Sequence, residues 1–196
     1  MENQQNIICR PLNLKDDLKQ VARLIYYTDD YVFPHLYDND ISAAEKVIPK
    51  MIQRDTIYNF KNIFVALSDN KIAGIVVFQR TPIRMNLNEM CSCFLDSGII
   101  VGERFAKVYN EYYKLLDEEP EGIYIANVCV DKLYRRMGIA KKMLESLLSD
   151  KETYHLETVK ANTGALHLYQ SLGFEIEYEY SGFTEVPCYR MKRTAK

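Results

Sequence analysis

Residues Ile123 to Ala140 read IYIANVCVDKLYRRMGIA, and this stretch decides the fold. Its first part, Ile123 to Val130, is an apolar and largely β-branched run of the length of a strand. At Gly138 a helical pattern begins, in which apolar residues return every three or four positions along one stripe. The connection between them is polar and basic, and it includes Arg135 and Arg136. The stretch therefore predicts a strand, a basic loop and a helix in direct succession.

A basic loop that leads into the N-terminus of a helix suits a diphosphate group. The first amides of a helix have no intrahelical partner, and the helix dipole favours an anion. Gly138 has no side chain, so the backbone can approach a ligand closely. The pattern Arg135-x-x-Gly138-x-Ala140 is neither a Walker loop nor Gly-x-Gly-x-x-Gly. Taken alone, it favours a plain strand-to-helix turn that has a solvated basic face.

A second motif follows another strand-like run, Tyr154 to Val159. Together the two motifs closely resemble the GCN5-related N-acetyltransferase (GNAT) superfamily, and the resemblance covers roughly residues 120 to 181. The superfamily hallmark Arg/Gln-x-x-Gly-x-Gly/Ala, after the fourth strand, corresponds to Arg135, Gly138 and Ala140. The segment Asn-x-x-Ala-x-x-Leu-Tyr-x-x-x-Gly-Phe, after the fifth strand, corresponds to Asn162, Ala165, Leu168, Tyr169, Gly173 and Phe174.

The resemblance implies an α/β (α+β) fold with a mixed central sheet of about seven strands flanked by helices. The fourth and fifth strands are expected to splay apart, with the cofactor wedged between them. We expect the order β-α-α-β-β-α-β-α-β-α-β-β in a single domain that covers residues 1–196. A helix near residues 103–119 would be an added element.

The resemblance also implies acetyl-CoA as co-substrate, and we expect no metal. The CoA diphosphate is expected over the backbone amides of Met137, Gly138, Ile139, Ala140 and Lys141, with the charges of Arg135 and Arg136 nearby. Backbone groups of Val128, Cys129 and Val130 would pair with the pantetheine arm as an added strand does. Asn162 would hydrogen-bond the pantetheine. Because the backbone does much of this binding, we interpret Cys129 as a strand residue rather than a nucleophile.

By resemblance, Tyr169 is the expected catalytic residue, which protonates or hydrogen-bonds the departing thiolate. With a tyrosine pKa near ~10 and a thiol pKa near ~8.5, full proton transfer is uphill by roughly 2 kcal/mol. A strong hydrogen bond to sulfur is therefore a sufficient role. Without the motif around it, Tyr169 would be interpreted as an aromatic core residue of a helix.

The general base is not evident. Some superfamily members carry a glutamate early in the fourth strand, and the matching residue here is Tyr124, which is not a ready base at neutral pH. Asn127 is not a base either. Glu89, Asp38 and His35 are conceivable bases, although each is also interpretable as a surface residue. The amine could also arrive neutral or lose its proton through water.

The expected function is acetyl transfer from acetyl-CoA to a primary amine of a small molecule or protein, by direct attack on the thioester. Two alternatives stay open. One is an acyltransferase that uses a longer acyl-CoA or forms an ester, and the other is a catalytically silent acyl-CoA-binding module. Acidic residues between Asp29 and Asp40 could attract a cationic acceptor. A homodimer is an assembly that the sequence leaves open.

Composition limits the other classes of function. The chain has 196 residues and a net charge of −2, which gives no electrostatic case for nucleic acid or an anionic membrane. The five cysteines include no CxxC, and no Cys or His spacing resembles a zinc site. The N-terminal residues are polar, and no apolar run approaches the ~20 residues of a membrane span. We therefore expect a cytoplasmic protein with reduced thiols.

Local patterns predict several elements of the N-terminal half. Ile7 to Arg10 reads as an edge strand, and Asn13 as the cap of a helix with Asp16 and Asp17 in its first turn. Residues 26–40 read as a loop. Ser42-x-x-Glu45 reads as a capping box, and Pro49 is expected to kink or split the helix that follows. Residues 63–67 and 71–78 read as a hairpin, in which Gly74 indicates a bulge or a close backbone approach.

Patterns in the C-terminal half are equally specific. Asn162 or Thr163 is expected to cap a helix that Gly173 closes in a left-handed conformation. Residues 174–180 alternate apolar with glutamate and predict a half-buried strand with an acidic outer face. Residues 186–192 form a last strand, and we expect its Arg190 and Lys192 to face opposite charges across the paired strands.

Overall fold

The computed structural model describes residues 6–83, 85–111, 120–181 and 185–196, and within them it contains seven strands and seven α-helices. The strands are β1 (Ile7–Pro11), β2 (Ile63–Ser68), β3 (Lys71–Thr81), β4 (Gly122–Val130), β5 (Tyr154–Val159), β6 (Glu175–Ser181) and β7 (Pro187–Arg193). The helices are α1 (Leu18–Tyr26), α2 (Val32–Leu36), α3 (Ile41–Gln53), α4 (Leu87–Leu95), α5 (Gly102–Glu111), α6 (Ile139–Leu147) and α7 (Thr163–Ser171).

All seven strands form one mixed sheet in the order β1-β2-β3-β4-β5-β7-β6. Only β4 and β5 run parallel, and their ladder holds three residue pairs, from Ile123↔Tyr154 to Ile125↔Leu156. The ladder stops where β4 carries a bulge. Val77 of β3 pairs with Asn127 and the next residue, Phe78, pairs with Ile125, so Ala126 is an extra residue in β4. Past the bulge β4 continues along β3 but not along β5. The predicted mixed sheet with splayed fourth and fifth strands is thus confirmed.

A hydrophobic core covers each face of the sheet. On one face, helices α1 to α5 bury residues that include Val21, Ile25, Val47, Ile48, Met51, Phe94 and Tyr124. On the other face, α6 and α7 bury residues that include Ile125, Met143, Leu144, Leu156, Tyr169 and Phe174. Adjacent residues of β4 therefore face opposite cores, which is the alternation that a strand imposes on its side chains.

The predicted hairpin of β2 and β3 is present, with a register shift between Ala66 and Leu67. Gly74 lies in β3 next to this shift. A Cβ atom at Gly74 would lie 2.9 Å from Met143 Cε and 3.0 Å from the Cys129 carbonyl oxygen. The missing side chain thus lets α6 pack directly on the sheet, as the predicted close approach requires.

Two predicted helix caps are one residue or more in error. The helix α1 begins at Leu18, and its cap is Asp17, which accepts hydrogen bonds from the amides of Lys19 and Gln20 at 3.1 and 3.0 Å. Asn13 instead accepts from the Lys15 amide in a preceding turn. The helix α3 is capped by Asp40 rather than Ser42. In α1 the capping carboxylate lies four residues after the predicted Asn13, and in α3 it lies two residues before the predicted Ser42; in both helices it takes the free amides of the first turn.

The structure departs from the predictions at two places in residues 26–53: a helix lies in the presumed loop, and Pro49 does not split its helix. The presumed loop contains α2, which the Asp29 carboxylate starts by accepting from the amides of Tyr31 and Val32. Helix α3 runs through Pro49 without a break. A proline inside a helix costs ~3 kcal/mol. Full burial of a large apolar side chain contributes ~1.5–3 kcal/mol, and four such side chains around the proline outweigh the cost; they are Val47, Ile48, Met51 and Ile52.

Strand β6 departs from the predicted half-buried pattern. It lies at the sheet edge, and all its residues are exposed or intermediate, with Tyr178 56% exposed. The predicted charge pairing is present, because Glu175 lies opposite Lys192 and Lys192 Nζ is 3.7 Å from Glu177.

The helix predicted near residues 103–119 is observed as α5 as far as Glu111, and residues 112–119 lie outside the described part. An unpredicted helix, α4, precedes it.

Candidate active site

The N-terminus of α6 presents free backbone amides. Gly138 is the N-cap in a left-handed conformation, with φ of +73°, and no side chain of the described residues caps the helix. The first bond of the helix runs from the Lys142 amide to the Gly138 carbonyl at 3.0 Å. The predicted amides, from Met137 to Lys141, precede that bond and therefore have no intrahelical acceptor. A Cβ at Gly138 would meet no atom of the described parts of the chain within 4 Å, so these leave the space above this turn open.

Basic residues flank this turn in the chain. Arg135 donates from Nε to the Val130 carbonyl at 3.2 Å, which ties it to the end of β4. Arg136 is held at a φ of +67°, an uncommon conformation for a residue with a side chain. Lys141 lies one turn before Glu145, at 3.8 Å. The predicted amides and the two predicted arginines thus lie together, and this set of groups fits a diphosphate.

The loop is fixed to the rest of the molecule at Asp131. One carboxylate oxygen of Asp131 accepts from the Leu133 amide at 2.9 Å and caps a short 3₁₀ turn. The other oxygen accepts from Gln20 Nε2 of α1 at 2.8 Å. The position of the basic loop is therefore set by both the strand before it and a helix on the opposite face of the sheet.

Among the described residues, the C-terminal half of β4 pairs with a strand on one side only. Val128, Cys129 and Val130 pair with Val76, Ile75 and Gly74 of β3, respectively. The β4–β5 ladder ends five residues earlier in β4 than Val130. The splay thus leaves this part of β4 without β5 as a partner next to the N-terminus of α6, with Arg135 bonded to the Val130 carbonyl at its end. Such a strand edge fits an extended amide-bearing chain such as pantetheine.

The thiol of Cys129 is buried, and burial raises its pKa to about 11. It therefore stays protonated at neutral pH and is a poor nucleophile. This state agrees with our interpretation of Cys129 as a strand residue.

Tyr169 lies on α7 in the core that α6 and α7 share with the sheet, where its side chain is 8% exposed. Its ring packs edge-on against Phe174, with 5.9 Å between ring centroids. Burial raises the pKa of Tyr169 to about 12. Against a thiol of pKa near ~8.5, full proton transfer would then be uphill by roughly 5 kcal/mol. The phenol is thus suited to donate a hydrogen bond and poorly suited to lose its proton.

Asn162 has a structural role that the sequence predicted. Its Oδ1 accepts from the Ala165 amide at 3.1 Å and caps α7, and Gly173 follows the helix with a left-handed φ of +85°. The Asn162 side chain is exposed, so its Nδ2 group is accessible for a ligand while Oδ1 stays with the helix.

A cluster of charged residues lies on the face of the sheet opposite to α6 and α7. It surrounds the point where the gap between β4 and β5 begins. Arg190 of β7 is buried, 3.5 Å from Glu157 of β5 and 3.8 Å from Glu177 of β6. The Arg190 guanidinium also lies 5.5 Å from the ring centroid of Tyr124. His155 is buried beside them, with Nδ1 3.8 Å from Glu177.

Sequence reasoning missed the position of Glu157. It follows Leu156, the last residue of β5 that pairs with β4, and strand alternation puts it on the face of His155. The available indication was a single carboxylate in the otherwise uncharged run Tyr154–Val159, which also holds His155.

The three residues considered as bases from sequence lie outside the strands that border the gap. Asp38 follows α2 and forms an ion pair with Arg104 of α5 at 2.9 Å. Glu89 lies in the first turn of α4, and His35 lies in α2. The prediction that Arg190 pairs across strands holds, but its burial and its contact with Glu157 also place it at the gap.

No group of three or more His, Cys, Asp or Glu side chains in the described residues could hold a metal ion. Across the same ranges of the chain, every helix is too short or too polar to cross a membrane.

Comparisons with known proteins agree with this geometry. The family model "Acetyltransferase (GNAT) family" matches residues 26–174. Over 90 residues the chain is 37% identical to "GCN5-related N-acetyltransferase 6, chloroplastic" of Arabidopsis thaliana, a match that covers 42% of this chain. The matched part spans 30% of the length of that curated relative.

Solved structures match over nearly the whole chain. An N-acetyltransferase from Staphylococcus aureus Mu50 has a TM-score of 0.69 at 21% identity, and the match covers 94% of this chain and 99% of that one. A chain of the NatC complex bound to Gag peptide and CoA has a TM-score of 0.57 at 18% identity, covering 97% and 99%. At these identities the likeness shows a shared fold. With the family match, it shows that the chain belongs to the GNAT acetyltransferase family.

Proposed function

We propose that the chain is an acetyl-CoA-dependent N-acetyltransferase that acts on a primary amine of a small molecule or protein. The observation that carries this proposal is the three-pair β4–β5 ladder, which opens beside the uncapped N-terminus of α6. Both binding surfaces that a CoA thioester needs, an anion site and an unpaired strand edge, thus lie at one gap.

In this proposal each predicted residue has a defined task. The amides of residues 137–141 and the guanidinium groups of Arg135 and Arg136 hold the diphosphate. The backbone of residues 128–130 aligns the pantetheine arm, and Asn162 donates to it from Nδ2. Bound acetyl-CoA supplies an activated acyl group with a good leaving group.

The chain then orients two reactants on opposite faces of the sheet. The amine nitrogen enters from the face of α1 and forms a bond to the carbonyl carbon, while the bond from that carbon to sulfur breaks. A backbone amide of β4 stabilises the negative charge on the carbonyl oxygen. Tyr169 donates a hydrogen bond to the departing thiolate, a task for which its raised pKa leaves it protonated.

We assign the amine proton to Glu157, the carboxylate at the start of the gap on the amine side. Arg190 Nη1 lies 3.5 Å from Glu157 Oε1 and orients the carboxylate. Glu157→Gln should lower kcat/KM for the amine about 100-fold at neutral pH. The loss should shrink as the pH approaches the amine's own pKa, because the amine then arrives neutral. A loss that is the same at every pH would contradict this role.

A thiol-release assay tests the proposed function. Acetyl-CoA is incubated with spermidine, tyramine, L-lysine or an alanine-initiated tetrapeptide, and free CoA is measured. The peptide is included because the similar NatC complex was solved with a peptide. Amine-dependent CoA release supports the proposal. CoA release without dependence on the amine, or binding of CoA with no release, favours the silent module. Activity only with longer acyl-CoA thioesters favours the other acyltransferase class.

A further inference from the structure

The bulge in β4 redirects one polar side chain. Ala126 is the extra residue, so Ala126 and Asn127 both lie on the face of α1, instead of alternating. Tyr124 and Cys129 share that face, whereas Ile125 and Val128 face α6. Without the bulge, the alternation from Tyr124 would turn Asn127 towards α6. The side chain of Asn127 therefore lies at the end of the β4–β5 ladder on the side opposite to the α6 N-terminus.

The hydrogen bonds of the Thr28 hydroxyl fix the orientation of the Asn127 side-chain amide. The Thr28 hydroxyl donates its proton to the Ile25 carbonyl at 2.6 Å, so Thr28 Oγ1 can only accept from Asn127. Asn127 Nδ2 accordingly donates to Thr28 Oγ1 at 2.8 Å. A flipped amide would bring two acceptor oxygens together. The orientation of Asn127 Oδ1 is thus determined by a neighbour that the end of α1 provides.

The Oδ1 atom of Asn127 is buried and has no donor among the described residues. The residue itself is only 8% exposed. A buried carbonyl oxygen without a donor is rare in proteins because it loses its hydration without compensation. Such an atom, held in one orientation next to a gap, indicates a donor that arrives with a ligand.

We infer that Asn127 Oδ1 accepts a hydrogen bond from the attacking amine and positions its lone pair. This inference rests on the proposed function and deepens it. A neutral primary amine has two N–H bonds and one lone pair. One N–H bond can go to Asn127 and the other proton to the base, while the lone pair attacks. A secondary amine has one N–H bond for both tasks, so the site selects primary amines.

An amide at this position has an advantage over a carboxylate. A carboxylate beside the amine would stabilise the ammonium form and raise the pKa of the acceptor. The amide oxygen of Asn127 accepts from the neutral amine without adding charge. The site thus holds the acceptor without opposing its deprotonation.

Steady-state kinetics with the best primary amine of the panel, spermidine, tyramine, L-lysine or the tetrapeptide, tests this inference. Asn127→Ala should raise KM for that amine roughly tenfold, as expected for one lost hydrogen bond, with KM for acetyl-CoA unchanged. The isosteric variant Asn127→Asp should keep amine KM or lower it, and move the kcat–pH profile to higher pH. Thr28→Val, the matched control, removes the same Nδ2 bond but keeps Oδ1, and should change amine KM less than Asn127→Ala.

The outcomes separate the two proposals. CoA affinity and thermal midpoint of each variant show whether it is folded, and Asn127→Asp remains informative if Asn127→Ala does not fold. If the wild type releases thiol with an amine but both Asn127 variants keep the wild-type amine KM and pH profile, this inference is overturned alone. If the wild type acetylates none of the amines, the proposed function fails, and the inference fails with it.

Discussion

Single residues decide how the proposed site would work. Tyr169 has one role in it, which is to donate a hydrogen bond without losing its proton. Its depth in the core raises its pKa to about 12, so it keeps its proton throughout the range from about pH 7 to about pH 10. Tyr169→Phe should lower kcat about 10- to 100-fold, with KM for acetyl-CoA little changed. This loss of kcat is smaller than the loss expected for a residue that transfers its proton fully.

The pH profile gives a second measure of Tyr169. Because the phenol stays protonated, kcat of the wild type should not fall between about pH 8 and about pH 10 through its ionisation. The exposed Tyr178 on β6 offers a matched control, and Tyr178→Phe should leave kcat unchanged. A basic decline of kcat in the wild type that disappears in Tyr169→Phe would contradict the hydrogen-bonding role.

Gly138 combines a left-handed backbone with open space above it. An alanine there costs about 1–2 kcal/mol of conformational energy. Its Cβ also projects into the space proposed for the diphosphate. We expect Gly138→Ala to weaken CoA binding at least about tenfold in isothermal titration.

The control for this variant is Gly98→Ala. Gly98 has a similar φ of +68° and an equally open environment, but it lies after α4, outside the phosphate loop. Both variants should lose comparable stability, and only Gly138→Ala should lose CoA affinity. An equal loss of affinity in both would show that the strain, rather than the site, is responsible.

Among the elements, α3 tests how strongly tertiary contacts override a local preference. Pro49 lies inside a continuous helix because the side chains around it are buried in the core. Pro49→Ala restores an amide donor and removes a ring clash. The substitution also stabilises the unfolded state by ~0.4–1 kcal/mol, because the unfolded chain gains conformational entropy. The free energy of unfolding should rise by about 2–2.6 kcal/mol in urea titrations.

The exposed neighbour Lys46 provides the comparison for this element. Lys46→Ala leaves the backbone pattern of α3 intact and should change the free energy of unfolding by less than about 0.5 kcal/mol. A Pro49→Ala protein that is less stable than the wild type would mean that the proline ring contributes packing that outweighs its cost to the helix.

For the whole molecule, one sheet carries both hydrophobic cores, and β3 and β4 contribute residues to each. Neither core can lose its packing while the sheet stays intact. We therefore predict a single domain with one cooperative transition, in which far-UV circular dichroism and tyrosine fluorescence coincide. Saturating CoA at about 100 times its Kd should stabilise the protein by ~2.7 kcal/mol. Two separated transitions would contradict the single domain.

The sequence by itself determined the part of the fold that depends on neighbours along the chain. The strand, basic loop and helix around Gly138 are set by local backbone preferences, and so are the Asn162 cap and the left-handed Gly173. These features need no distant partner. Hence the motif residues and the splayed mixed sheet could be predicted from the family resemblance and the local pattern together.

Only the tertiary structure decided the features that depend on distant segments. Burial of the side chains around Pro49 carried α3 through the proline. The bulge at Ala126 turned Asn127 towards α1, where a hydroxyl already committed to Ile25 fixed its amide. Burial of Arg190 beside Glu157 likewise depends on strand order. Sequence periodicity cannot register a bulge or a burial, because both arise from segments that meet only in the folded chain.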